Sequence, residues 1–255
     1  MDIDSKVAIV TGGSSGIGQA ACIALANAGF HLVVVGTRGD RINATLNLLH
    51  SSGMNQLDSP HLGLTLDVTN EDDMQEMVSK TVERFGRIDL LVASAGLGKP
   101  SRSERVMPHP TASLPLEEWN EVLSVNLTGV FLSNRAVLPV MMKQRGGHII
   151  NICSSTTLYG LRGQPYAPAY CASKFGVVGF TESVAEEVYS YGIRVQALFP
   201  GPVKTPLVAQ TALVRRFGGG YISAADIAGT IVYLVKQPSD ATMIHPHILP
   251  FGISQ

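Results

Sequence analysis

The feature that most constrains the fold of this chain is a recurring alternation. Short runs that are apolar at nearly every position are separated by longer segments with helical periodicity. The apolar runs are Val7–Thr11, His31–Val35, Leu62–Leu66, Leu90–Ala93, His148–Ile152, Arg194–Phe199 and Met243–Leu249. Runs such as Val33-Val34-Val35 and Leu90-Leu91-Val92 leave no polar alternate, which marks strands covered on both faces, as in a parallel sheet. Between them the periodicity predicts helices at Ile17–Ala28, Asp40–Ser51, Glu71–Phe85, Glu117–Met142, Ala167–Ser190 and Ala224–Lys236. The third places Met74, Met77, Val78, Val82 and Phe85 on one stripe, opens with Thr69 three residues before Asp72, and closes at Gly86. The pattern predicts an α/β fold: a single-domain, Rossmann-like, doubly wound parallel sheet of about seven strands with helices on both faces.

A chain of 255 residues with 45% apolar and 15% charged side chains buries a substantial core. A net charge of −1 gives no electrostatic case for nucleic acid or an acidic membrane surface. The opening Met1–Lys6 lacks a basic segment followed by an apolar run, and no stretch approaches the roughly 18 to 20 uninterrupted apolar residues of a spanning helix. Cys22, Cys153 and Cys171 are odd in number and lack C-x-x-C spacing, so reduced thiols and a cytoplasmic location are expected. Without a repeat or linker, residues 1–255 read as one dinucleotide-binding and catalytic domain. Two stretches break the rhythm: Gly98–Pro115, with prolines at 100, 108, 110 and 115, and Pro200–Gly220. Both follow strands at the carboxyl edge of the sheet, where open α/β folds bind ligands, so substrate loops are expected near 97–115 and 202–220.

The first strand runs into Thr11-Gly12-Gly13-Ser14-Ser15-Gly16-Ile17-Gly18. Glycine permits a tight turn and close approach to a pyrophosphate, and the helix that follows offers free N–H donors and a positive dipole. Gly12, Ser14, Ser15, Gly16, Ile17 and Gly18 are therefore candidate dinucleotide contacts. At the end of the second strand, where an acidic residue would hold the ribose of NAD, the chain reads Val35-Gly36-Thr37-Arg38-Gly39-Asp40. A small residue followed by a hydroxyl and a guanidinium suits a 2′-phosphate, so Thr37 and Arg38 favour NADP(H) over NAD(H). Asp40 either reaches back to a ribose or opens the next helix. Asp67 and the backbone of Val68 match an adenine edge, or Asp67 caps the helix beginning near Thr69.

Farther along, Tyr170-Cys171-Ala172-Ser173-Lys174 sets a phenol and an ammonium four residues apart on one helical face. A neighbouring cation favours phenolate and predicts a lowered tyrosine pKa, suited to proton exchange with a carbonyl. Taken in order, Thr11–Gly18, Asp67-Val68, Ala93-Ser94-Ala95-Gly96, Asn126, Ile149–Ser155, Tyr170–Lys174 and Pro200–Thr205 resemble the short-chain dehydrogenases/reductases along nearly the whole chain.

The resemblance implies that Tyr170 is the acid–base residue and that Lys174 lowers its pKa and binds the nicotinamide ribose. It implies that Ser155, or failing it Ser154, bonds the substrate oxygen, and that Asn126 holds a helix distortion and a relay water. Tyr166 meets Tyr170 rather than a lysine four residues on, and is the poorer proton donor. Ser94, Ala95 and Gly96 are implied in cofactor binding, although Ser94 stands where the family commonly has asparagine. Pro200, Gly201, Val203 and Thr205 are implied in ordering the nicotinamide. The activity implied is hydride transfer between NADP(H) and a carbonyl or secondary alcohol, by a homotetramer or homodimer.

A metal is not expected: His245 and His247 would share a strand face, but no third ligand lies nearby. Lys99, Arg102, Arg105, Arg215 and Arg216 make the two irregular stretches basic, and either attract an anionic substrate or are simply solvated. The rival readings are an NAD-dependent alcohol dehydrogenase, an extended nucleotide-sugar epimerase, for which a substrate domain is missing, and a nucleotide sensor without turnover.

Overall fold

A computed structural model describes residues 6–49, 61–99, 109–155, 167–209, 220–238 and 240–251. Tyr166, Arg102, Arg105, Arg215 and Arg216 lie outside the described residues, as do residues 100–108 of the first irregular stretch and 210–219 of the second. Among the described residues, seven parallel strands form one sheet in the order β3-β2-β1-β4-β5-β6-β7. They are β1 (Val7–Thr11), β2 (His31–Gly36), β3 (Leu62–Thr65), β4 (Leu90–Ala93), β5 (Gly147–Ile152), β6 (Ile193–Pro200) and β7 (His247–Ile248). The helices are α1 (Gly16–Asn27), α2 (Gly39–Leu49), α3 (Glu71–Phe85), α4 (Leu116–Leu123), α5 (Gly129–Gln144), α6 (Pro168–Val188), α7 (Pro206–Ala209) and α8 (Ala224–Val235).

The runs without a polar alternate are explained by two cores. Along a strand, successive side chains point to opposite faces. Ile9, Val33, Val35, Leu91 and Ile149 join Met74 and Met77 of α3, Val137 and Met141 of α5, and Val184 of α6. Ala8, Val10, Leu32, Val34, Leu90 and Ile150 pack instead with Leu25 of α1 and Ile227 and Ile231 of α8. The register Val10↔Val34 and Val10↔Val92 brings the carboxyl ends of β1, β2 and β4 level, so the segments that leave them share one edge.

Several sequence expectations shift on contact with the fold. Helix α3 is capped by Asn70, whose side chain accepts from the N–H groups of Asp72 and Asp73, and not by Thr69. The Thr69 hydroxyl and N–H both donate to Asp67 instead. Gly86 does close this helix in the left-handed conformation. The strand expected over Met243–Leu249 shrinks to two residues, because His245 has φ +51° and breaks the extended chain. His245 therefore does not alternate with His247 along a strand. Its Nε2 meets Glu182 at 2.9 Å, while both imidazoles rest against Phe199. The second irregular stretch contains the short helix α7 and a parallel bridge, Val203 to Ile222. The run Leu116–Gln144 reaches membrane-span length and mean hydropathy, although it has no uninterrupted apolar stretch; half of its apolar window is buried in the fold.

Candidate active site

The turn between β1 and α1 is built so that backbone crosses backbone. Gly12 adopts φ +67°, and a Cβ there would meet the Ala95 backbone at 2.8 Å. A Cβ on Gly18 would lie 2.2 Å from the Gly12 carbonyl oxygen, closer than any side chain allows. The result is a bare cradle at the start of α1, where Ser15 makes no side-chain cap and the first turn holds no acidic residue. Such a helix terminus presents N–H donors and positive dipole to an anion.

Two adjoining cavities run along the carboxyl edge from this cradle and share Gly12, Ala95 and Gly96. Towards β2 the wall includes Ser14, Gly36, Thr37, Asp67, Val68 and Glu121. Gly36 packs closely under Ser14, whose hydroxyl oxygen would lie 3.0 Å from a Cβ at this position. Asp67 faces this cavity with one carboxylate oxygen already accepting from Thr69. Thr37 lines the cavity, whereas Arg38 is exposed and bound to Asp40 through Nε–Oδ1 at 3.2 Å and Nη2–Oδ2 at 2.8 Å. The carboxylate holds the Arg38 pKa above its ordinary value, and Arg38 holds Asp40 below its own.

Towards α6 the wall carries Ser15, Gly16, Ile17, Ser94, Cys153, Ser154, Tyr170, Lys174, Pro200, Gly201, Val203 and Thr205. Helix α6 starts with Pro168 at its first turn, so Tyr170 and Lys174 lie in its first two turns. Strand β5 delivers Ser154: the Cys153 N–H still bonds the Leu198 carbonyl, so the ladder runs one residue past Ile152 and the next side chain meets the helix. The Ser154 hydroxyl is hydrogen-bonded to the Tyr170 phenol. Ser155, one residue farther on, is absent from the cavity wall. The serine beside the tyrosine is thus Ser154, where the sequence reading chose Ser155. Two adjacent residues of one type cannot be told apart by type, and only the end of the strand ladder separates them.

The expected effect of Lys174 on Tyr170 also needs correction. The ammonium donates to the Ile152 carbonyl at 2.8 Å and stands 5.9 Å from the centre of the phenol ring. Burial dominates and pushes the Tyr170 pKa up to about 12, against the smaller downward pull of the Ser154 hydrogen bond. Burial lowers the pKa of Lys174. Tyr170 is thus a protonated acid at neutral pH, held next to a second hydroxyl.

Asn126 sits in a π-helical turn, Ser124–Thr128, that joins α4 to α5 into one helical run. Its Oδ1 accepts from the Leu97 N–H at 2.7 Å, and its Nδ2 donates to the Leu97 carbonyl at 2.9 Å and the Ser173 hydroxyl at 3.3 Å. Ser173 in turn donates to the Tyr170 carbonyl at 2.7 Å. The amide therefore ties the segment after β4 to the turn of α6 that carries the phenol. Sequence reasoning missed Cys153, Pro206 and Leu207, which also line this cavity. Pro206 had a readable signal, since a proline after Thr205 marks a helix start; Cys153 adjoins the serine pair.

With this geometry in place, comparison with known proteins is specific. Residues 6–214 match the short chain dehydrogenase family, and the chain belongs to it. It is 34% identical to a 3-oxoacyl-[acyl-carrier-protein] reductase of Synechocystis, covering 94% of this chain and 92% of that protein. It superposes with a TM-score of 0.84 on a 3-ketoacyl-(acyl-carrier-protein) reductase from Brucella melitensis complexed with NADH, at 26% identity over 97% of this chain and 98% of the other. An alcohol dehydrogenase from Thermococcus sibiricus complexed with 5-hydroxy-NADP gives a TM-score of 0.81 at 27% identity, over 96% and 97% of the two chains. The protein is an NAD(P)-dependent oxidoreductase acting on carbonyl or alcohol groups. The cradle fits that cofactor class: Gly12 and Gly18 let backbone cross backbone tightly at the turn, which leaves Ser15, Gly16 and Ile17 at the start of α1 lining the cavity where a pyrophosphate would meet free N–H groups.

Proposed function

We infer that this protein reduces a carbonyl compound with NADPH, as one domain, with Tyr170 as proton donor. The observation that carries this reading is the pairing of Ser154 and Tyr170 hydroxyls beside Lys174 in the cavity that adjoins the glycine cradle. When bound, the nicotinamide supplies the hydride. Ser154 and Tyr170 converge on the carbonyl oxygen, and the phenolic proton passes to that oxygen as negative charge grows on it. A phenol kept protonated at neutral pH is in the correct state for reduction. Lys174 donates to the Ile152 carbonyl at the end of β5 and would bind the ribose hydroxyls of the cofactor. Asn126 holds Leu97 and Ser173, and through them the geometry of the first turns of α6. Thr205 and its neighbours in 200–205 close the opposite wall and set which ring face is presented.

NADP(H) is favoured by Thr37, by Arg38 and by Gly36, which supplies no carboxylate to repel a 2′-phosphate. The substrate side of the wall, with Val203, Pro206 and Leu207, suits an apolar body next to the carbonyl. Buried thiols at Cys22, Cys153 and Cys171, not joined in disulfides, fit a reducing cytoplasmic setting. Exposed Leu116 and Phe131 on α4 and α5 support a homo-oligomer, a tetramer or dimer, which sedimentation at micromolar concentration tests.

The test is NADPH and NADH consumption against ketones, oxo acids and 3-oxoacyl thioesters, with Tyr170→Phe as control. Turnover that prefers NADPH and falls roughly 100- to 10,000-fold in the variant supports the reading. Binding of NADPH without turnover on any carbonyl would replace it with a nucleotide sensor.

A further inference from the structure

The proposed preference for NADP(H) rests on Arg38, yet this guanidinium is already engaged. Asp40 takes the edge formed by Nε and Nη2 with both carboxylate oxygens. Guanidinium recognises phosphate by the same two-point geometry, through parallel N–H donors along one edge. A carboxylate on one edge leaves the outer Nη1/Nη2 edge for a second anion. It also keeps a like charge close to wherever that second anion binds. Asp40 is held there by its place in the first turn of α2, where the helix dipole favours negative charge. The pair is exposed, with 56% and 64% of the two side chains accessible, so the competition is between anions in water and not between buried charges.

The geometry points to Asp40 as a specificity-determining residue that weakens discrimination between NADP(H) and NAD(H). The inference rests on the assignment of Arg38 to the 2′-phosphate and goes beyond it. As long as the carboxylate remains on Arg38, the local charge of the pair is zero. A 2′-phosphate then gains hydrogen bonds but little net Coulomb attraction, and the bare ribose of NAD(H) suffers no offsetting loss. The enzyme consequently accepts both cofactors, with the phosphorylated one only modestly preferred. Removing the carboxylate charge leaves Thr37 and Arg38 in place and gives the phosphate an uncompensated cation.

Calorimetric titration of the full chain with 2′,5′-ADP and with 5′-AMP tests this without turnover. The two probes differ only in the 2′-phosphate. In Asp40→Asn, 2′,5′-ADP should bind roughly three- to tenfold tighter while 5′-AMP is unchanged, and the gain should shrink as salt is raised. Unchanged or weaker 2′,5′-ADP binding in that variant overturns the inference and makes Asp40 an aid to phosphate binding or a bystander. Arg38→Leu separates this from the cofactor assignment. If it loses the preference for 2′,5′-ADP while Asp40→Asn gains nothing, the assignment stands and the role of Asp40 falls. If wild type shows no preference and Arg38→Leu changes nothing, both fall.

Discussion

At the end of the groove beside α6, Ser154 and Lys174 are buried, the half-buried Tyr170 is hydrogen-bonded to Ser154, and its backbone carbonyl is tied through Ser173 to Asn126. At the end beside β2, Arg38 and Asp40 stand in solvent and pair with each other. The first arrangement favours the protonated phenol, because burial raises its pKa above the ordinary value. The second fixes only a balance of charge that salt and competing anions alter. Chemistry therefore belongs to the enclosed end and choice of cofactor to the open one, and substitutions at the two ends should differ in size accordingly.

The largest effect is expected from Tyr170→Phe, which removes the proposed proton donor and should lower reduction roughly 100- to 10,000-fold with cofactor binding retained. Next is Gly18→Ala, whose Cβ would start 2.2 Å from the Gly12 oxygen. The cradle must open, with a stability loss of about 1–3 kcal/mol in thermal or urea melts and loss of dinucleotide binding by fluorescence titration. Normal binding in that variant would break the link between the cradle and the cofactor.

The pH profile sharpens the comparison further. Because burial raises the phenol pKa, the acid form needed for reduction persists through neutral pH. Alcohol oxidation needs the phenolate, so its rate should climb about tenfold per pH unit between pH 7 and 9 while reduction stays level. An oxidation rate already flat from pH 6 would show that burial does not govern the phenol. At the open end, Arg38→Leu should raise the KM for NADPH only several-fold, with kcat unchanged, and the difference should fade with added salt.

The comparison also explains what could be read from the sequence. The strands were legible because their two-sided burial leaves runs such as Val33-Val34-Val35 with no polar alternate. Met243–Leu249 misled because apolar content does not reveal the left-handed turn at His245. Asn126 was legible as an amide inside a helical pattern, and the π-helical turn is the distortion it accompanies. Which serine meets Tyr170 depends on a single hydrogen bond past the end of β5, and no residue type encodes that. The rise in the Tyr170 pKa was hidden for a different reason. Helical spacing places Lys174 four residues away, but the carbonyl of Ile152 captures the ammonium and burial decides the outcome. The Arg38–Asp40 pair was open to a reading of charges two residues apart, yet only the folded chain brings both oxygens onto one guanidinium edge.

The most direct test of the central arrangement compares Ser154→Ala with Ser155→Ala in single-turnover reduction of a carbonyl substrate by bound NADPH. Ser154→Ala should slow the step by about 100- to 1,000-fold, the scale for losing one preorganised donor to a developing oxyanion, and Ser155→Ala should stay within a few-fold of wild type. The reverse order, or two equal and small effects, would contradict the pairing of Ser154 with Tyr170 on which this account of the site is built.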